Sequence, residues 1–209
     1  MPKLRVHNVT ISLDGFASGP DQRLEEPLGE GFEIAHEWMF AALRERAEGR
    51  RGIDVEYVER GEHNIGATIM GRNMFGPVRG PWPDESWTGW WGDNPPFHHD
   101  VFVHTHHLRP PQPMEGGTTF HFTDEPLETV LQRAYEAAEG KDVRLGGGAA
   151  TIQQYVRAGL VDEMHLVIAP ILIGSGERLF DNLGDRIDGY RVEEMVSSPA
   201  VTHARLIRR

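Results

Sequence analysis

The segment 142–156 constrains the fold of this chain more than any other. Asp142-Val143-Arg144-Leu145 reads as a short strand, Gly146-Gly147-Gly148 follows at once, and Ala149-Ala150-Thr151 opens a helix that carries Ile152, Tyr155 and Val156. Glycines permit positive φ and let a ligand approach the backbone closely. A helix N-terminus behind them offers unsatisfied N–H groups and the positive end of the helix dipole, which together suit a pyrophosphate. The spaced Gly-x-Gly-x-x-Gly dinucleotide fingerprint is absent, so a tight strand-to-helix turn is the competing reading of the same residues.

Other segments repeat the strand-to-helix theme. Residues 4–13 read as a strand closed by the turn pair Asp14-Gly15, and 31–47 as a helix with Ile34, Trp38, Ala41, Ala42 and Leu43 on its apolar face. Ile65 to Met70 is a short apolar run ending at Gly71, a buried strand in outline. Residues 76–97 hold glycines, prolines and four tryptophans without a period, which marks a long ordered loop. Val101-Phe102-Val103 and Thr118 to Phe122 are further strands. Thr123 or Asp124 is placed to cap the next helix, with Pro126 in its first turn and an apolar face of Leu127, Val130, Leu131, Ala134, Tyr135 and Ala138. Met164 to Ala169 is a strand stopped by Pro170, and 189–208 reads as two strands joined across Ser197-Ser198-Pro199. Strands alternating with helices, then a strand-rich C-terminus, predict a single α/β domain over 1–209. Its sheet should be mainly parallel with an antiparallel edge.

Two more strand ends carry chemistry. In Ile69-Met70-Gly71-Arg72-Asn73-Met74 an arginine stands where a helix would begin, and its guanidinium suits a bidentate grip on phosphate. In Val101-Phe102-Val103-His104-Thr105-His106-His107 a buried strand ends in hydrogen-bonding residues suited to a ribose phosphate or an adenine edge. His104 and His106 share a strand face, a spacing that also suits a metal, but no acidic neighbour completes a ligand set.

Composition narrows the partners. With 21 basic against 32 acidic residues the net charge is −11, opposite in sign to the footprint that nucleic acid or anionic membrane requires. The chain has no cysteine, which removes disulfides, thiolate metal sites and cysteine nucleophiles. Neither an apolar leader nor a run of membrane-spanning length is visible, so the expectation is a cytoplasmic protein.

Taken in order, Ser12-Leu13-Asp14-Gly15, Met70-Gly71-Arg72, Gly146-Gly147-Gly148, Gly159-Leu160-Val161-Asp162-Glu163, Pro170 to Gly176 and Leu179-Phe180 resemble the dihydrofolate-reductase-like superfamily. The chain is most similar there to stand-alone proteins related to the C-terminal reductase domain of the riboflavin-biosynthesis deaminase-reductase. That resemblance implies a mixed central sheet flanked by helices, NADPH as hydride donor, a small heterocyclic or conjugated substrate, and a homodimer. It places Gly71, Arg72, Asn73 and Met74 in the cofactor site, with Arg72 toward the adenosine 2′-phosphate. Thr105 and His106 fall at the strand end near the same phosphate or the adenine. Gly147, Gly148, Ala149, Ala150 and Thr151 match the pyrophosphate loop, and Asp14 and Gly15 lie beside nicotinamide and substrate.

The sequence also departs from that pattern. Residues 1–209 carry no counterpart of the deaminase half, and the acidic residue that precedes the glycine loop in the riboflavin reductases is replaced by Gly146. Candidate proton donors are Asp14, Glu37 and ordered water. Trp87, Trp90 and Trp91 either line an aromatic substrate pocket or anchor the long loop. A protein that keeps the fold and binds small molecules without catalysis is the alternative from another class.

Overall fold

A computed structural model describes residues 1–77, 80–84 and 86–209. The chain runs through β1 (Leu4–Ser12), β2 (Phe16–Ser18), a 3₁₀ turn (Glu33–His36), α1 (Glu37–Ala47), α2 (Ile53–Glu62), β3 (Ile65–Gly71), α3 (Arg72–Phe75), β4 (Asp100–His104) and β5 (Gln112–Pro113). It continues through β6 (Thr119–Thr123), α4 (Leu127–Ala137), β7 (Asp142–Leu145), α5 (Ala149–Arg157), β8 (Glu163–Ala169), β9 (Glu177–Arg178), β10 (Tyr190–Ser197) and β11 (Thr202–Arg208). Among the described residues the main sheet has nine strands in the order β10-β11-β8-β1-β7-β3-β4-β6-β5. The six strands from β8 to β6 are mutually parallel, while β11 against β8, β10 against β11 and β5 against β6 are antiparallel. The α/β class, the mainly parallel sheet and its antiparallel C-terminal edge are as the sequence predicts.

Helices cover both faces. Val130, Leu131 and Ala134 of α4, and Ile152, Tyr155 and Val156 of α5, bury against Leu4, Val6, Ile11, Ala67, Ile69, Val143 and Leu145 of the sheet. Trp38 and Ala42 of α1, with Val55 and Val58 of α2, pack on Val167, Ala169 and Val201 of the other face. A β-bulge in β1 between Val6 and Val9 lets one strand serve both layers. Leu4 and Val6 before it, and Val9 and Ile11 after it, all contribute to the α4–α5 side, although a regular strand would turn 9 and 11 away.

Three local expectations are corrected. The segment 31–47 begins with a 3₁₀ turn, and its tighter winding rotates the face, so Ala35 points inward and Ile34 is exposed. The helix Ile53–Glu62 has no counterpart in the sequence reading, because Gly52 and Gly61 break up a short, charge-rich stripe of Val55, Tyr57 and Val58. Thr123 does not cap α4: its hydroxyl accepts from Glu125 N at 3.2 Å, a turn that precedes the helix, and Pro126 stands at the N-cap. Among the described residues no helix is long and apolar enough to cross a membrane.

Residues 76–97 contain no helix or strand among those described, and Val78, Arg79 and Glu85 of this loop lie outside them. Trp82, Trp87 and Trp91 pack with Phe75, Phe97, Phe120 and Phe122 into a third cluster beside β4 and β6.

Candidate functional site

The C-terminal ends of β7, β3 and β4 lie side by side, with Ile69 paired to Leu145 and Gly71 to His104. Open parallel sheets bind ligands at this edge, because helix N-termini and loops converge there. Two hydrogen bonds lock β3 to the glycine loop: Gly71 N donates to Gly147 O at 2.8 Å, and Gly146 N donates to Ile69 O at 2.8 Å. A Cβ on Gly71 would overlap the Thr151 hydroxyl, so the close approach of β3 to α5 requires glycine there.

Gly147 and Gly148 are joined by a cis peptide bond, and Gly148 has φ −81° and ψ −175°. Neither residue adopts positive φ, so of the two uses that glycine permits here the loop does not draw on the left-handed one. What the glycines supply is space. A Cβ built on Gly147 would come no nearer than 3.9 Å to any neighbour, the Met74 sulfur, and one on Gly148 no nearer than 4.0 Å, a Glu177 carboxylate oxygen. Gly146 is the crowded member, its Cβ falling 2.8 Å from Met74 Sδ.

Beside this loop opens a cleft of about 270 Å3. Arg72 and Asn73 from α3 form one wall, His104 to His107 another, and Thr151 and Gln154 of α5 the third. A second space of about 460 Å3 lies between Trp82 and residues 106–109, sharing His106 and His107 with the first. The Arg72 guanidinium carbon sits 3.9 Å from the Trp82 ring centroid, and Nη1 donates to Gly80 O. Trp82 Nε1 in turn donates to His107 O at 2.8 Å. Thr105 Oγ1 accepts from His107 N at 3.1 Å and so shapes the turn after β4. His104 Nε2 donates to Glu125 O at 3.0 Å, and burial lowers its pKa, which keeps the ring neutral and structural. Among the described residues no three histidine, aspartate or glutamate side chains converge in a metal-holding geometry.

The structure therefore brings Arg72, Asn73, Thr105, His106 and Thr151 together on one cleft, while Gly147 and Gly148 lead into α5 without lining it. Met74 packs beneath the glycine loop, Ala149 is buried, and Ala150 is exposed on the first turn of α5. Other candidates lie elsewhere. Asp14 accepts from Ser12 Oγ at 2.6 Å, Gly174 N at 2.8 Å and Ile173 N at 3.2 Å. The Ser12 hydrogen bond leads in pulling its pKa down to about 2. Such a carboxylate stays ionised at neutral pH and holds two loops together, which removes the physical basis for Asp14 as a proton donor. Gly15, at φ +89°, supplies the turn. Glu37 is exposed at the start of α1. Trp87 donates to Phe75 O at 2.9 Å and meets Trp90 edge-on at 4.6 Å; both anchor the loop and neither lines the cleft.

Sequence reasoning missed Trp82, Gln154 and Glu177 as neighbours of the site. Gln154 stands three positions after Thr151, a helical spacing that was legible. The Arg72–Trp82 and Glu177–Gly148 proximities are tertiary and leave no local signal.

The fold and the strand-edge cleft define a dihydrofolate-reductase-like α/β protein. Residues 2–199 match the family model of the RibD C-terminal domain, and the chain belongs to that family. Among solved structures it resembles a protein from Shewanella sp. PV-4 assigned to riboflavin biosynthesis, at 20% identity and TM-score 0.62 over 99% of both chains. A Thermotoga maritima diaminohydroxyphosphoribosylaminopyrimidine deaminase/5-amino-6-(5-phosphoribosylamino)uracil reductase aligns at 12% identity and TM-score 0.59, with all of this chain covering 57% of that one. Dihydrofolate reductase from Enterococcus faecalis, solved with NADP(H), aligns at 14% identity and TM-score 0.53, covering 99% and 96%. A Bacillus subtilis protein, YyaP, is 45% identical over 62 residues, 30% of this chain and a third (33%) of that protein.

Proposed function

We propose that the protein is an oxidoreductase that uses NADPH to reduce a small heterocyclic or conjugated substrate. The observation that carries this reading is the cleft on which Arg72 of α3 meets Thr151 in the first turn of α5, the turn that follows the open Gly147-Gly148 loop. A phosphorylated dinucleotide fits these residues. The loop leaves room for a pyrophosphate, the first turn of α5 offers N–H donors, and Arg72 offers a guanidinium already oriented by Trp82. When bound, the dinucleotide supplies the hydride; the chain holds and orients it. Thr151 and Gln154 would hold the phosphates, and Thr105 to His107 would hold the adenosine end. Gly148, Glu177 and the turn at Asp14-Gly15 would hold the nicotinamide end.

The family match and the NADP(H)-bound structural relative support this reading. A second reading, a binding protein without turnover, is favoured by two observations: Asp14 is committed to loop hydrogen bonds, and glycine stands where an acid would precede the loop. The test is oxidation of NADPH followed by absorbance with a panel of pteridines and pyrimidines. Turnover of any member supports the reductase. Tight NADPH binding with no turnover across the panel favours the binding protein.

A further inference from the structure

On the face of the sheet opposite α4 and α5, a line of buried imidazoles joins three strands to α2. Asp54 Oδ1 lies 2.8 Å from His203 Nε2, His203 Nδ1 lies 3.0 Å from His165 Nε2, and His165 Nδ1 lies 3.2 Å from His7 Nδ1. His7, His165 and His203 are no more than 5% exposed. Tyr57 of α2 stacks on His203 at 4.1 Å and on His165 at 4.7 Å, and Trp38 of α1 meets His203 edge-on at 5.3 Å. The β1 bulge builds one end of the line. Asn8 takes φ +57°, and its Oδ1 reaches His7 Nδ1 at 2.8 Å and His165 Nδ1 at 3.1 Å. Gly61 brings α2 so close that a Cβ there would stand 2.5 Å from His7 Nδ1.

The carboxylate at one end orders the protons. Asp54 accepts, so His203 carries its proton on Nε2 and presents a bare Nδ1 to the Nε2–H of His165. His165 Nδ1 is then bare, and the neutral line closes when the Asn8 amide turns its NH2 group to this position, donating one N–H to His165 Nδ1 and the other to a bare His7 Nδ1. Every imidazole is used in its neutral form, and an added proton would turn an N–H···N contact into two opposed donors.

We propose that this line is an acid-sensitive latch: α2, with α1 packed on it, stays docked only while the three imidazoles are neutral, and acidification into the range where free imidazoles protonate releases it. The charged groups around the line agree. Arg5 of β1, Arg144 of β7 and Arg205 of β11 oppose a cation at His7, and Arg60 of α2 opposes one at His165. Glu163 of β8 favours a cation at His165, and Asp54 of α2 and Glu194 of β10 favour one at His203, but burial outweighs them. It holds His7 down to about 3 and His165 to about 2, and lowers His203. These folded-state values lie below the ordinary imidazole value, so the released state binds the extra protons. The latch is therefore complete above about pH 6.5 and is lost as pH falls below it.

Backbone amide exchange between about pH 7 and pH 5, corrected for its intrinsic pH dependence, tests the latch on the whole chain. Three imidazoles shift the release equilibrium by up to about a thousandfold per pH unit. Amides of Tyr57 and Val58 in α2 should therefore lose protection steeply while those of Val130 and Leu131 in α4 keep theirs. His203→Gln, which retains a donor toward Asp54 but does not titrate, should flatten that dependence by about tenfold per pH unit. Imidazole nitrogen shifts of the unaltered protein should show His165 and His203 neutral wherever α2 is protected, a readout that does not depend on the variant folding. Parallel loss of protection in α2 and α4, an unchanged slope in folded His203→Gln, or protonation of His165 or His203 with α2 still protected would each overturn the proposal.

Discussion

Arg72 lies over the indole of Trp82, its guanidinium carbon 3.9 Å from the ring centroid, and the same indole is tied by Nε1 to His107 O at 2.8 Å. One tryptophan thus sets the guanidinium's position from across the cleft. A cation–π contact of this kind is worth about 0.5–1 kcal/mol at an exposed site, a two- to fivefold effect on binding. Trp82→Ala should weaken NADPH binding by about that factor or somewhat more, since the 80s loop also loses its tie to the 106–109 turn. Trp82→Phe should recover part of the loss. Calorimetric titration checks both; equal affinity in all three proteins would remove Trp82 from the site.

Gly148 in the glycine loop and Gly71 at the end of β3 should respond in opposite ways. Gly148→Val adds bulk to open space, so a folded variant should lose NADPH binding with little change in melting temperature. Gly71→Ala forces a methyl group into Thr151, and overpacking of this sort costs about 1–3 kcal/mol. In a chain of this size that is a fall in Tm of about 2–4 °C per kcal/mol. Thermal melts beside cofactor titrations separate the two. A normally binding Gly148→Val protein would reduce the loop to a packing turn.

Asp14 should matter for loop order rather than for proton transfer. Its folded-state pKa, about 2, lies below the ordinary value of 3.8, so its contribution is complete above that ordinary value and is lost as pH falls toward 2. Asp14→Asn replaces an acceptor with a donor on one side of the amide. It should expose the Ile173 and Gly174 amides to exchange and speed proteolysis between β8 and β9 at neutral pH. Unchanged exchange at both amides would contradict this role.

Much of the architecture was legible in the sequence because local pattern and tertiary outcome agree. The strand, triglycine and helix of 142–156 form as read, and so do the α4 stripe and the final strand pair. What escaped detection depends on partners distant in sequence. Helix α2 is held by Gly61 against His7 and by Tyr57 against His165 and His203, contacts that no window of ten residues records. The bulge at His7-Asn8 was hidden because the apolar pattern of β1 shifts phase there. In the site, Arg72, Thr105 and Thr151 followed from strand-end logic. The commitment of Asp14 to Ile173 and Gly174, and of Trp87 to Phe75, required the folded chain.

The central claim, that the cleft takes a 2′-phosphorylated nicotinamide dinucleotide through Arg72, is tested most directly by binding of NADPH and NADH to the unaltered protein and to Arg72→Ala. A charge-assisted phosphate contact is worth about 1.5–3 kcal/mol, or roughly ten- to a hundredfold in affinity. The account predicts that the unaltered protein prefers NADPH by that factor. Arg72→Ala should lose the preference while binding NADH as before. Equal affinity of the unaltered protein for the two dinucleotides, or a preference that survives Arg72→Ala, would contradict it.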